Sequence, residues 1–225
     1  MSDILARRAL LGTLALLPLA ACAKPEATGD ATATEPASAP ATDVTQWMTW
    51  EGGVDLAAVT DASLKQPNVI VHVARLVTTP RGSAASGMIL FQPDAAKPPL
   101  VMGFVSGKPE VGAYFGPQIF KGTPFETAPA LPAEIVIDDS KAPSSVSAKI
   151  TVGGHVFEVT LDGLSPLQTV TRPAGALPFS QQGIEAAASK ASLKVDGKDV
   201  VIVVPPVGVS GGPAAVWSPA GTYAR

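Results

Sequence analysis

The sequence predicts a mainly β domain, an antiparallel β-sandwich or barrel with one or two short helices. Apolar residues of the body recur mostly with period two, and glycine-bearing turns join two pairs of such runs. Breakers are spread throughout, with 22 prolines and 21 glycines among 225 residues, which keeps the elements short. Residues 149–161, KITVGGHVFEVTL, are the clearest instance: Ile150 and Val152 lead into Gly153-Gly154, and alternation returns from Val156 to Leu161. Glycine at both central positions tolerates the positive φ that a two-residue hairpin requires.

The remaining elements follow in chain order. Asp61 to Lys65 is expected to form a turn of helix, and Val69 to Val77 a strand with His72 and Ala74 opposite Val69, Val71 and Val73. Further strands are expected at Met88 to Gln92, Leu100 to Val105, Ala113 to Lys121 and Glu134 to Asp138, separated by loops such as TPRGSAASG and QPDAAKPP. Ser180 is expected to cap a short helix through Lys190, where Ile184, Ala187 and Ala188 form a narrow apolar stripe. Leu193 to Val204 reads as a second hairpin turning at Asp196-Gly197. Its run of five apolar residues, Val200 to Val204, suits a central strand covered on both faces.

Charge excludes one class of partner. From Asp43 onward, thirteen Lys and Arg stand against fifteen Asp and Glu, with no concentrated basic patch, so no nucleic acid is expected to bind. No apolar run after Ala21 approaches membrane-spanning length, and residues 43–225 are expected to form a single soluble domain.

Candidate chemistry is sparse. Gly208-Val209-Ser210-Gly211-Gly212 fits G-x-S-x-G after an apolar run, but Pro213 and Pro219 break the segment that should continue as a helix. No histidine follows Ser210, so a hydrolytic reading must pair it with His72 or His155 in another chain order; a glycine-rich loop is the alternative. With two histidines and one cysteine, no metal site and no cofactor are expected, and the histidines read as partly exposed strand residues. Asp138-Asp139 reads as a turn, since adjacent carboxylates at a strand end point apart. Aromatics are 5% of the chain; Trp47, Trp50, Tyr114 and Trp217 are the candidate ligand contacts, with core packing as the competing role.

The amino-terminal segment is of a different kind. MSDILARR carries Arg7 and Arg8, an apolar run extends from Ala9 to Ala21, and the run ends in small residues before Cys22, the only cysteine. At about 1.5 Å of helical rise per residue it reaches roughly 20 Å, short of a hydrocarbon core of about 30 Å. Leu19-Ala20-Ala21-Cys22 resembles the lipobox of bacterial lipoproteins. That resemblance implies diacylglyceryl transfer to the Cys22 sulfur, cleavage before it and a membrane-anchored product. Arg7-Arg8-Ala9-Leu10-Leu11 also resembles a twin-arginine export signal; Ala6 and Leu10 depart from the usual pattern, and both export routes stay open.

Residues 23–42, AKPEATGDATATEPASAPAT, hold no aromatic residue and no Leu, Ile or Val, the composition of a disordered tether. Twenty such residues span roughly 25 Å. Ala23, which is not Asp, implies by the same resemblance the periplasmic face of the outer membrane. GIEAAASKA followed by SLKVDGKDVVIVV is similar to the end of periplasmic domains of the invasion-associated locus B type; those domains often carry cysteines, and this body carries none. The expected function is a lipid-anchored envelope protein whose β domain binds a ligand, a glycan or another envelope protein. The alternative is a periplasmic hydrolase using Ser210.

Overall fold

The computed structural model describes residues 46–225; Cys22 and the tether lie outside the described residues. The chain runs β1 (Trp47–Ala58), β2 (Val69–Thr79), β3 (Gly82–Phe91), β4 (Leu100–Ser106), α1 (Pro109–Tyr114), a π turn (Phe115–Ile119), and then β5 (Ala130–Asp138). It continues through β6 (Ser145–Val152), β7 (His155–Leu164), β8 (Gln168–Arg172), β9 (Ser180–Val195), β10 (Lys198–Val200) and β11 (Ala215–Ala224). The fold is mainly β, as the periodicity predicts.

The strands form one ladder in the order β9-β11-β1-β2-β3-β4-β5-β6-β7, and pairing of β7 with β9 closes it on itself. Closure leaves open edges only on the short strands β8 and β10, each paired on one side to β9, which limits the edge that could template aggregation. The long strand β9 makes it possible: residues 180–187 pair with β11, and residues 188–195 pair with β7. Inward side chains from opposite walls meet in one core, including Val54, Leu56, Val71, Val73, Phe104, Ile150, Phe157 and Leu193. Gly87 of β3 stands directly opposite Phe104 of β4, and a Cβ there would lie 2.6 Å from the Phe104 ring, so glycine is required for the ring to enter the core.

One pairing departs from the antiparallel pattern. β4 and β5 run parallel over three residue pairs, and parallel neighbours need a crossover connection. Here the connection contains α1 and the π turn, which lie over the outer face of the β1–β2–β3 wall. Pro109 begins α1, where its missing N–H is harmless, and Gly112 lets the helix approach Val105 and Ala130. Beneath this cap lies a second core, with Met48, Trp50, Ala74, Met88, Val111, Phe115, Ile119, Phe120, Phe179 and Tyr223.

The Gly153-Gly154 hairpin forms as expected, with φ of +58° and +82°. Four expectations are corrected. Residues 180–190 are strand, because β9 hydrogen-bonds on both edges, to β11 on one and β8 on the other, and this pairing overrides the helical preference of an alanine-rich run. Residues 113–119 are helical, since Pro109, Gly112, Gly116 and Pro117 suit a compact crossover better than a paired strand. Val200 ends β10, and Val201 is 81% exposed, so the valine run is a surface crossing and not a central strand. Asp61 to Lys65 is a turn held by Asp61 Oδ1 accepting from the Ser63 N–H at 2.8 Å. The helix on which the invasion-associated locus B likeness partly rested is therefore absent.

Candidate functional site

Polar residues buried among apolar ones need partners, and the outer face of the β1–β2 wall carries several. Asp55 and His72 sit directly opposite each other in the β1–β2 register. His72 Nδ1 hydrogen-bonds to Asp55 Oδ1, while its ring lies against Phe115, Phe120 and Tyr223 with centroids 5.7, 6.1 and 6.0 Å away. His72 is 6% exposed, which corrects the expectation of a partly exposed strand residue. Its alternation with the valines is as expected; the outward face is simply covered by the cap.

A second polar group comes from β8 and β9. Arg172 donates two hydrogen bonds to Glu185, at 2.6 and 2.7 Å, the forked geometry that suits guanidinium and carboxylate. Gln181 Nε2 donates to Glu185 Oε1 at 2.8 Å. Gln181 and Glu185 share one face of β9 because four residues separate them, an even number along a strand. Hydrogen bonding to Glu185 raises the Arg172 pKa above its ordinary value. Burial pushes the Tyr223 phenol well above its ordinary range, with the Asp55 and Glu185 charges adding, so that it stays protonated.

Of these groups, all but Arg172 and Phe115 border a cavity of about 80 Å³. Asp55, His72, Gln181 and Glu185 supply polar lining; Met88, Phe120, Phe125, Phe179 and Tyr223 supply apolar lining. The loop bearing Gly208, Val209 and Ser210 forms another part of the wall. An adjoining groove of about 230 Å³ runs between residues 172–177 and 208–211, sharing Leu177, Phe179, Gln181 and Ser210 with the cavity. His72 and Gln181 of this lining each hold a buried polar atom, Nε2 and Oε1, with no hydrogen-bond partner within the protein. Such orphans cost roughly 1–3 kcal/mol each, so their presence in residues beside a cavity marks a place where a ligand's polar groups would be rewarded.

Ser210 and His72 therefore reach one cavity, but the catalytic contact is not made, because Nε2 of the imidazole is unpartnered. Ser210 lies in a turn closed by the Gly208 N–H donating to Gly212 O at 2.7 Å, and the chain continues into β11 without a helix. His155 is elsewhere, on the β6–β7 turn, paired with Asp196 at 2.9 Å. Hydrogen bonds from His155 and from the Val156 N–H hold the exposed Asp196 carboxyl below its usual range.

The four candidate aromatic contacts take other positions. Trp50 is 2% exposed, packs at 4.5 Å on Tyr223 and donates through Nε1 to Ser218 Oγ at 3.0 Å. Tyr114 is buried and accepts a hydrogen bond from the Trp47 N–H at 3.2 Å. Trp47 is at the start of β1 and 36% exposed, and Trp217 packs against the inner core. None of the four lines the cavity, although Trp50 borders a shallow outer groove with Thr49, Thr171 and Thr222. Asp55, Gln181, Glu185 and Arg172 were not singled out in the sequence. The available signal was a lone acid and a lone histidine inside the apolar runs GGVDLAA and VIVHVARLV.

Among the described residues no group of three His, Cys, Asp or Glu side chains is placed to hold a metal ion, and no helix is long and apolar enough to cross a membrane. Comparisons with protein-family models, curated proteins and solved structures find no match.

Proposed function

We propose that this is a lipid-anchored envelope protein whose β domain binds a small ligand beneath the aromatic cap. The observation that carries the binding half is that His72 and Gln181, whose Nε2 and Oε1 atoms have no hydrogen-bond partner within the protein, line one cavity. The anchor half rests on the lipobox-like Leu19-Ala20-Ala21-Cys22 and the tether after it. By the same resemblance, Ala23 in place of Asp supports a position at the periplasmic face of the outer membrane. A small ligand is favoured over a glycan or another envelope protein because the polar lining is enclosed under the cap, with Trp50 and Tyr114 committed to packing. Replacing Cys22 by Ser is expected to abolish incorporation of labelled fatty acid and leave the precursor uncleaved. Incorporation equal to wild type in that variant would place the lipid elsewhere.

A hydrolytic reading has one specific observation in its favour: Asp55, His72 and Ser210 all line the same cavity, with the carboxylate orienting the imidazole. The missing contact from His72 Nε2 to the hydroxyl weighs against it. A fluorophosphonate probe separates the two readings. The binding role predicts no labelling of Ser210, whereas labelling that disappears in His72→Ala would replace binding by hydrolysis.

A further inference from the structure

We propose that the cavity receives the ammonium head of a small primary amine, an inference that rests on the ligand-binding reading above. The hydrogen-bond chemistry assigns the polarity of the site. The Asp55 carboxylate can only accept, so the proton it meets is on His72 Nδ1, and in the neutral ring that this proposal requires, Nε2 carries a lone pair. Glu185 likewise can only accept, so the Gln181 amide turns its nitrogen to that carboxylate and leaves Oε1 as an acceptor. Both residues are nearly fully buried, at 6% and 5% exposure, and with the ring neutral both unpaired atoms are acceptors. A carboxylate or phosphate ligand would set lone pair against lone pair, whereas an ammonium group carries three donors.

Charge agrees with polarity. Glu185 is matched by Arg172, and with the His72 ring neutral, Asp55 has no full cationic counterpart. Phe120, Phe179 and Tyr223 pack with centroids 4.8 to 5.7 Å apart beside these groups, and aromatic faces attract cations most where water is excluded. At about 80 Å³ the cavity admits a head group of a few heavy atoms, and the adjoining groove of about 230 Å³ can take the rest of the molecule.

Isothermal titration of the detergent-solubilised full chain, at constant ionic strength, tests this with n-propylammonium chloride, sodium propionate and propan-1-ol. Propylammonium is expected to saturate a single site with a dissociation constant on the order of 1 mM, as befits four non-hydrogen atoms. Propan-1-ol should bind at least roughly tenfold more weakly, and Asp55→Asn, which keeps an oxygen for His72 Nδ1, should weaken propylammonium by about tenfold or more. Saturable binding of propionate, or of propan-1-ol as tightly as the amine, overturns the ammonium assignment and leaves the binding role standing. Saturation by none of the three overturns both. If Asp55→Asn does not fold, the wild-type series alone decides.

Discussion

Arg172→Met is expected to lower the free energy of unfolding by about 3 kcal/mol, and adding Glu185→Gln should restore most of it. Glu185 is 8% exposed in its side chain and balanced by the two-pronged Arg172 contact. Removing one partner of a buried pair typically costs roughly 3–5 kcal/mol, because the remaining charge is stranded. The lower end applies here, since Arg172 keeps 19% exposure and Gln181 still donates to the carboxylate. Glutamine at 185 removes the stranded charge while keeping an acceptor for the Gln181 amide. Urea unfolding of the two variants against wild type checks the result; a double variant no more stable than Arg172→Met would show that the pair's charge is not what matters.

Phe104→Ala is expected to cost about 4 kcal/mol, the middle of the range for deleting a buried phenyl ring. Phe104 is fully buried among residues from both walls of the closed sheet, and its ring fills the space that Gly87 leaves opposite it. Val136→Ala, on a residue 62% exposed, should change stability by less than about 0.5 kcal/mol. Comparable losses in the two variants, read from denaturation midpoints at equal slope, would contradict the placement of the inner core.

Strands whose outward residues are polar were legible from alternation alone. β6 and β7 were found with their turn because Ile150, Val152, Phe157, Val159 and Leu161 face one core and their neighbours face outward. β1 and β11 were not anticipated. β1 carries Gly52-Gly53 in its middle, and β11 contains Pro219 at a register shift between Trp217 and Ala220, so neither shows a clean period. In β9, Ile184, Ala187 and Ala188 mimic a helical stripe. In the fold Ile184 is 39% exposed, and the residues that matter, Gln181 and Glu185, are polar and buried.

The candidate site was less legible than the fold for a related reason. It exists because β4 and β5 pair in parallel and their crossover covers the outer wall, a long-range event that residue periodicity does not encode. Once the cap is in place, His72 is buried against its partly exposed partner Asp55, and residues from β8, β9 and the Gly208–Gly212 turn converge on the same space. His72 and Ser210 were both noticed in the sequence; their meeting at one cavity depends on strands more than a hundred residues apart.

The most direct measurement is a long-range ¹H–¹⁵N correlation spectrum of the His72 imidazole in the labelled full chain, before and after n-propylammonium is added. The account predicts a protonated Nδ1 and an unprotonated Nε2 whose signal moves as the amine saturates. A proton on Nε2 in place of Nδ1, or an Nε2 signal unmoved at saturation, would contradict it.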